Sequence, residues 1–130
     1  MEKYLEELLH KMDRKIEAEC ERLGDKLPYW TTNGMYETDY AEKDIYWWTN
    51  GFWAGLLWKM YHATGKELYK ERAEVMEKHL DKALHGFIGL HHDTGFMWLH
   101  SAVADYRLTG SEESKIRGLT AASVLAGRYN

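Results

Sequence analysis

Two short stretches contain the side chains best suited to chemistry. The range His91 to Phe96 reads His-His-Asp-Thr-Gly-Phe, and the range Trp47 to Phe52 reads Trp-Trp-Thr-Asn-Gly-Phe. Each stretch lies where an irregular segment meets a helical pattern. Imidazole and carboxylate groups can transfer protons or bind hydroxyl groups, and indole rings can stack on the apolar faces of sugars. We therefore expect the two stretches to lie side by side and to form one wall of a sugar-binding site.

The aromatic content of the chain supports a binding role for some of these rings. The 130 residues include six Trp and nine Tyr, and many of the aromatic residues lie between Tyr29 and Tyr61. Helix packing accounts for part of this set, including Trp53 and Trp58, which are predicted to lie in the core. The remaining rings exceed what a small core requires and are available as platforms for a ligand. From its position just before a helix, Trp48 is predicted to be such a stacking platform.

Asp93 has two possible roles that do not exclude each other. An aspartate just before a helix is a preferred cap, because its carboxylate accepts hydrogen bonds from the first N–H groups of the helix. A carboxylate bonded in this way is stabilised in its charged form and is poorly suited to donate a proton at neutral pH. It would instead orient a partner acid or a water molecule and stabilise positive charge in a transition state.

The adjacent His91 and His92 raise the question of a metal site, since imidazole and carboxylate are common ligands. Neighbouring residues on an irregular segment rarely point to one ion, however, and no helical His-x-x-x-His pair supplies further ligands. We therefore predict no metal here, and we expect His92 to donate a hydrogen bond to a sugar or to a carboxylate.

The spacing of apolar residues predicts five helices. Thr49 or Asn50 is expected to cap the second helix, and Ser111 the fifth. Residues 25–47, with the only proline of the chain, are predicted to be a long irregular connection. The predicted helices span about 2–23, 51–62, 66–84, 95–108 and 112–126.

An internal repeat relates the second and third helices to the fourth and fifth. Gly51-Phe52 and Gly95-Phe96 are 44 residues apart, and Thr64-Gly65 and Thr109-Gly110 are 45 residues apart. The repeat unit is one helical hairpin, and such hairpins bury their apolar faces by stacking in a row or a ring. Parallel packing of the first helices of the two hairpins would place Trp48 and Asp93 at the same rim.

Smaller roles follow from the same pattern. Gly51, Gly55 and Gly95 are expected to allow close approach of helices. In the sequence Ala-Asp-Tyr-Arg, Asp105 is expected at the surface and Tyr106 in a packing contact.

Length and charge limit the possible partners and location. The chain has the size of one domain, residues 1–130, and its net charge of −4 comes from 21 acidic and 17 basic residues without a basic block. This excludes nucleic acid and membrane surfaces as expected partners. Cys20 is the single cysteine and is predicted to be a buried free thiol. The acidic N-terminus lacks the apolar run of a signal peptide, and no later apolar segment is long enough to span a bilayer, so a cytoplasmic location is predicted.

Four blocks of sequence, in order, resemble the N-terminal part of the unsaturated glucuronyl hydrolases, glycoside hydrolase family 88. The resemblance runs from Lys26 onward and covers about the first third of a typical family member. The blocks are Trp48–Trp58, His91–Phe96, Ser101–Tyr106 and Ala121–Asn130.

The resemblance implies an all-α fold in which helical-hairpin repeats form part of a six-hairpin α/α barrel, or toroid, with inner helices around a pocket. Family members remove a 4,5-unsaturated uronic acid from the non-reducing end of oligosaccharides. Water adds across the vinyl ether double bond, and the hemiketal that forms rearranges and releases the sugar. No metal or organic cofactor is implied.

The resemblance also assigns residues. By position, Asp93 corresponds to the assisting member of the family's two functional aspartates, and Trp48 and His92 correspond to residues that line the pocket. The principal general acid/base aspartate of the family corresponds to a position beyond Asn130. The resemblance therefore implies that the 130 residues alone are catalytically incomplete.

Two hypotheses of different classes follow. In the first, the chain is the N-terminal part of a glycoside hydrolase that acts on unsaturated uronic-acid oligosaccharides. In the second, it is a non-catalytic helical-repeat module for sugar binding or assembly. Chondroitin, hyaluronan, heparin and gellan fragments all remain open as substrates. In either case the uncovered apolar surface of the inner helices predicts self-association.

Overall fold

The structure, a computed structural model, describes residues 2–128, which form seven α-helices and no β-strand. No helix in this part of the chain is long and apolar enough to cross a membrane. All five predicted helices are confirmed in position, although the fourth is interrupted. Tyr129 and Asn130, which end the fourth block of resemblance, lie outside the described residues. The helices are α1 (Glu2–Leu23), α2 (Tyr40–Lys43), α3 (Asn50–Thr64), α4 (Glu67–Gly86), α5 (Thr94–Trp98), α6 (Ala102–Thr109) and α7 (Glu112–Ala126).

Only the C-terminal half of α1 packs firmly on the rest of the chain. Cys20 and Leu23 are buried, whereas Tyr4 and Leu5 near the other end are 67% and 56% exposed. Cys20 is a buried free thiol, as predicted. The helix is held near its middle by Asp13, which accepts hydrogen bonds from side chains at the start of α4 and just before it.

The predicted repeat is confirmed by two turns of the same construction. Gly65 ends α3 and Gly110 ends α6, with φ values of 69° and 77° that strongly favour glycine. The hydroxyl of Thr64 donates to the carbonyl one helical turn earlier at 2.7 Å, and the hydroxyl of Thr109 does the same at 3.0 Å. Each hydroxyl also accepts a hydrogen bond from the N–H group two residues later. The chain thus contains one hairpin of α3 and α4 and a second of α5, α6 and α7.

Two glycines allow α3 to pack closely against the second hairpin. A Cβ atom on Gly51 would overlap the backbone of Met97, and one on Gly55 would lie 2.8 Å from the Cβ of His100. The later glycine of α3 meets the later residue of the second hairpin, so α3 is parallel to α5. The predicted role is wrong for Gly95, because a Cβ there would make only an ordinary contact, 3.5 Å from a side chain of α7.

The fourth predicted helix is interrupted after Trp98, and this part of the prediction is wrong. Ser101 has φ −99° and ψ −96°, which is not helical. Its buried hydroxyl donates to the carbonyl of Met97 at 2.6 Å, a bond of the kind that bends helices. Apolar residues continue through the break, and the periodicity therefore does not reveal it.

The irregular connection of residues 25–47 is confirmed, but it contains the short helix α2. Asp39 caps this helix, and its Oδ1 accepts from the N–H of Ala41 at 2.9 Å and from the N–H of Leu27 at 3.0 Å. Both bonded residues are buried. One carboxylate therefore holds the beginning of the connection against the start of α2.

Hydrogen bonds to the irregular connection also hold the start of α3. Thr49 occupies the cap position but forms no side-chain cap bond, so the predicted capping is wrong. Asn50 lies inside the helix, and its amide donates to the carbonyls of Asp44 and Ile45 at 3.0 and 3.1 Å. The amide is buried and orients the segment that contains Trp47 and Trp48.

A buried polar network joins the two hairpins. Glu77 of α4 is 1% exposed; its Oε1 accepts from the indole N–H of Trp58 at 2.8 Å, and its Oε2 lies 2.9 Å from the hydroxyl oxygen of Ser114. The same hydroxyl lies 2.5 Å from Oδ2 of Asp105. Asp105 is 3% exposed, so its predicted surface position is wrong, and Tyr106, predicted to pack, is 37% exposed.

Arg117 connects this network to two further carboxylates. Its guanidinium forms two parallel bonds of 2.7 Å to Asp81 and one of 2.7 Å to Glu113. It also donates to the hydroxyl of Ser114 at 3.3 Å and lies 3.8 Å from Oε2 of Glu77. Because these contacts join α4 to α7, they set the position of the second hairpin relative to the first.

Candidate functional site

Trp48 lies at the end of the parallel helices where α3 and α5 begin. Its ring centroid is 5.5 Å from that of Phe52 and 5.6 Å from that of Phe96, with both pairs arranged edge to face. Phe96 follows Asp93 by three residues. The structure therefore brings the two chemically promising stretches together at one end of the helices.

Four rings form a continuous surface at this end, which we call the aromatic surface: Trp48, Phe52, Phe96 and His100. Phe52 is 5.2 Å from His100 and 6.1 Å from Phe96, measured between ring centroids. Phe52 and Phe96 are 40% and 45% exposed. The two phenylalanines were missed as candidate site residues, although their equivalent positions after the repeated glycines are the signal that could have identified them.

Asp93 occupies the cap position of α5 without capping it. Its carboxylate accepts no hydrogen bond from the N–H groups of the helix, so the predicted capping role is wrong. These N–H groups therefore do not stabilise the charge of the Asp93 carboxylate. The first turn is closed instead by Thr94, whose hydroxyl donates to the carbonyl of His91 at 2.6 Å.

The neighbours of the Asp93 carboxylate are the two imidazoles that precede it. Oδ2 lies 3.5 Å from Nε2 of His92 and 3.7 Å from Nδ1 of His91. The side chain of Asp93 is 25% exposed and that of His92 is 88% exposed. In the described part of the chain no lysine or arginine pairs with this carboxylate. It is therefore accessible to a ligand that approaches from the side of His92.

A cavity of about 440 Å³ opens between α3 and α6, beside His100 of the aromatic surface. Its basic lining residues are Lys59, His62, His100 and Arg107. The volume lies within the range of small-molecule sites. Basic side chains favour a negatively charged ligand.

Comparisons with known proteins agree on one family. No model of a protein family matches the sequence. The unsaturated glucuronyl hydrolase of Bacillus sp. (strain GL1) is 36% identical over 109 residues, which cover 83% of this chain and 28% of that protein. The unsaturated chondroitin disaccharide hydrolase of Streptococcus pyogenes serotype M1 is 35% identical over 99 residues, which cover 75% of this chain and 25% of that protein.

A solved structure matches over nearly all of the chain. It is an aspartate-to-asparagine variant of the unsaturated glucuronyl hydrolase of Streptococcus agalactiae in complex with dGlcA-GalNAc6S. The TM-score is 0.86 at 29% sequence identity, and the match covers 99% of this chain and 34% of that protein. The chain thus spans about a quarter to a third of the length of these relatives.

The fold agrees with this similarity. The helical hairpins of the chain form part of a six-hairpin α/α barrel. Taken together, sequence and fold show that the chain resembles the N-terminal third of the unsaturated glucuronyl hydrolases.

Proposed function

We propose that these 130 residues are the N-terminal part of a glycoside hydrolase that acts on unsaturated uronic-acid oligosaccharides by hydrating the 4,5 double bond. The observation that carries the proposal is the match to unsaturated glucuronyl hydrolases over 83% of the chain in sequence and 99% in fold. The contact between Trp48 and Phe96 supports it, since it places an indole ring at the end of the helices that carries Asp93.

The proposed roles follow from what each side chain can offer to a sugar. Trp48 stacks on an apolar sugar face, and the exposed His92 donates a hydrogen bond to a hydroxyl or a carboxylate. Asp93 assists catalysis: it orients a water molecule or a partner acid, and it stabilises positive charge at the reacting carbon.

We further propose that residues 1–130 are one all-α domain, an incomplete barrel that does not catalyse the reaction alone. The relatives are three to four times as long as the matched part, and a pocket inside a ring of hairpins needs walls on all sides. Asp93 would therefore act together with a principal acid on a part of the barrel that these residues do not form.

The test is a chimera in which residues 1–130 replace the matching part of the S. agalactiae relative. Hydrolysis removes the double bond, so activity is measured as the loss of ultraviolet absorbance of an unsaturated disaccharide. We expect the chimera to be active and the 130 residues alone to be inactive. Turnover by the 130 residues alone would show that no essential acid is missing.

Asp93→Asn in the active chimera should reduce the rate by at least about 100-fold, within the range for loss of one group that stabilises charge in a transition state. The matched control is Asp25→Asn, which replaces an exposed aspartate paired with Arg72. An unchanged rate for Asp93→Asn would remove this residue from the site. Calorimetric titration of the 130 residues with the same disaccharide distinguishes an enzyme part from a binding module. Only a binding module is expected to bind the disaccharide tightly without the rest of the barrel.

Self-association and location complete the proposal. The aromatic surface and the neighbouring Leu99, which is 52% exposed, form an apolar region through which two copies can associate.

The buried free thiol of Cys20 fits a reducing compartment. On that ground we propose a cytoplasmic location, which cell fractionation would test.

A further inference from the structure

The ligand atoms of three consecutive side chains converge at the start of α5. One imidazole nitrogen each from His91 and His92 and one carboxylate oxygen of Asp93 all lie within 4.8 Å of one another. The two distances to the carboxylate oxygen, 3.5 Å and 3.7 Å, exceed those of charge-assisted hydrogen bonds, about 2.7–2.9 Å. The three groups therefore lie close together without short hydrogen bonds between their side chains.

The two distances to the Asp93 oxygen are close to the distance between two ligands of a single metal ion. With metal–ligand bonds of about 2.0–2.1 Å, two ligands of a tetrahedral zinc ion are about 3.4 Å apart. Small rotations of the side chains would bring the cluster to this geometry. The expectation that neighbouring residues do not point to one ion does not hold here, because the chain turns between His91 and Thr94, where the N–H of Thr94 donates to the carbonyl of His91 at 3.0 Å.

The position of the His91 Nδ1 atom also suits a metal ligand. Its lone pair accepts a hydrogen bond from the N–H of Asp93 at 3.2 Å. A metal ion would take over that lone pair from a long hydrogen bond. The exposed ring of His92 leaves room for water or another ligand to complete the coordination.

We propose that His91, His92 and Asp93 bind one divalent transition-metal ion, of the class of Zn²⁺, Co²⁺, Ni²⁺ or Cu²⁺. Two imidazoles and one carboxylate select these ions over Mg²⁺ and Ca²⁺, which prefer oxygen ligands. If the proposed function holds, the ion also inhibits the reaction, because its positive charge lies beside the Asp93 carboxylate and opposes the developing positive charge that this carboxylate would stabilise. The bound ion is thus an inhibitor and takes no part in the reaction.

The test is a titration of the untagged 130-residue protein with Co²⁺, followed by the visible absorption of tetrahedral cobalt. This measurement contains no sugar and does not depend on the proposed function. We expect one saturable site from which Zn²⁺, but not Mg²⁺, displaces cobalt. His92→Gln and Asp93→Asn should each weaken binding by at least about tenfold.

The matched control is His85→Gln, which replaces an exposed histidine at the end of α4 and should leave cobalt binding unchanged. Circular dichroism of each variant verifies the helical fold. The proposal is overturned if cobalt gives no saturable tetrahedral spectrum, if His92→Gln binds within about twofold of the wild type, or if His85→Gln loses binding to the same extent. Displacement of cobalt by Mg²⁺ would equally contradict it, since that result requires a site made of oxygen ligands.

Discussion

Replacement of the buried Glu77 by glutamine should remove a large pH-dependent loss of stability. The hydroxyl oxygen of Ser114 lies within hydrogen-bond distance of carboxylate oxygens from both Glu77 and Asp105. A serine hydroxyl has one proton to donate. Both contacts can be hydrogen bonds only if one of the carboxyl groups carries a proton as well.

Glu77 is the group that holds this proton. The pKa of Glu77 is raised from 4.5 to about 7 by burial, with a further contribution from the charge of Asp105 that opposes the lowering effects of Trp58, Ser114 and Arg117. The neutral acid can accept from the indole with one oxygen and donate to Ser114 with the other. Ser114 in turn donates to Asp105, so every oxygen in the row has a partner.

The size of the effect follows from linkage between protonation and folding. In the unfolded chain Glu77 loses its proton near pH 4.5, whereas in the folded chain it keeps the proton until about pH 7. The contribution of Glu77 to the free energy of unfolding is therefore fully present below pH 4.5 and is lost as the pH rises to about 7. A difference of about 2.5 pKa units corresponds to about 3 kcal/mol of unfolding free energy.

Glu77→Gln keeps the shape of the neutral acid and cannot lose a proton. We expect the variant to match the wild type near pH 4.5 and to exceed it by up to about 3 kcal/mol at pH 8. The assay is urea unfolding followed by tryptophan fluorescence at a series of pH values. The control is Glu71→Gln, an exposed glutamate of the same helix, which should leave the pH dependence unchanged. A pH dependence of Glu77→Gln identical to that of the wild type would refute the assignment of the proton to Glu77.

Three further predictions concern packing, association and reactivity. Gly51→Ala should lower the unfolding free energy by about 1–3 kcal/mol, because its methyl group would overlap the backbone of Met97; Gly95→Ala, which meets only an ordinary contact, should be neutral or stabilising in the same urea assay. The 130-residue protein should form dimers or larger species in sedimentation at micromolar concentration. Phe96→Ser should shift the distribution towards monomer. A monodisperse wild-type monomer would count against an open apolar surface. Burial raises the pKa of Cys20 to about 11, so a thiol reagent at pH 8 should react with it at the rate of global unfolding, and rapid reaction without denaturant would contradict its burial.

Periodicity and turn chemistry predicted most of the fold. The apolar spacing located α1, α4 and α7 closely because their buried faces repeat at helical intervals. The repeated Thr-Gly pairs marked the two hairpin turns because only glycine readily adopts the conformation found there. Sequence spacing also predicted that Trp48 and the His91 to Phe96 range share one end of the molecule, since parallel helices of equivalent repeats begin at the same level.

The features that escaped prediction depend on contacts distant in sequence or on single torsions. The break at Ser101 arises from one hydroxyl that bonds to its own helix, within an unbroken apolar pattern. The burial of Asp105 depends on Ser114 and Glu77, two residues of neighbouring helices that no local pattern connects to it. Asp93 was expected to cap α5, but a cap needs a side-chain orientation that residue type alone does not determine.

The two glycine-ended turns bear on the order in which the chain folds. Each turn is closed by backbone and hydroxyl bonds between residues about one helical turn apart, such as the bond from Thr64 to Met60, so neither hairpin requires the other. Contacts between residues near in sequence form early, because little chain entropy is lost in closing them. The bond between Ser114 and Glu77 joins residues 37 positions apart and belongs to the later step in which the hairpins dock. Docking therefore encloses the Glu77 oxygen that contacts Ser114, and loss of the Glu77 proton should weaken docking and speed the separation of the docked hairpins.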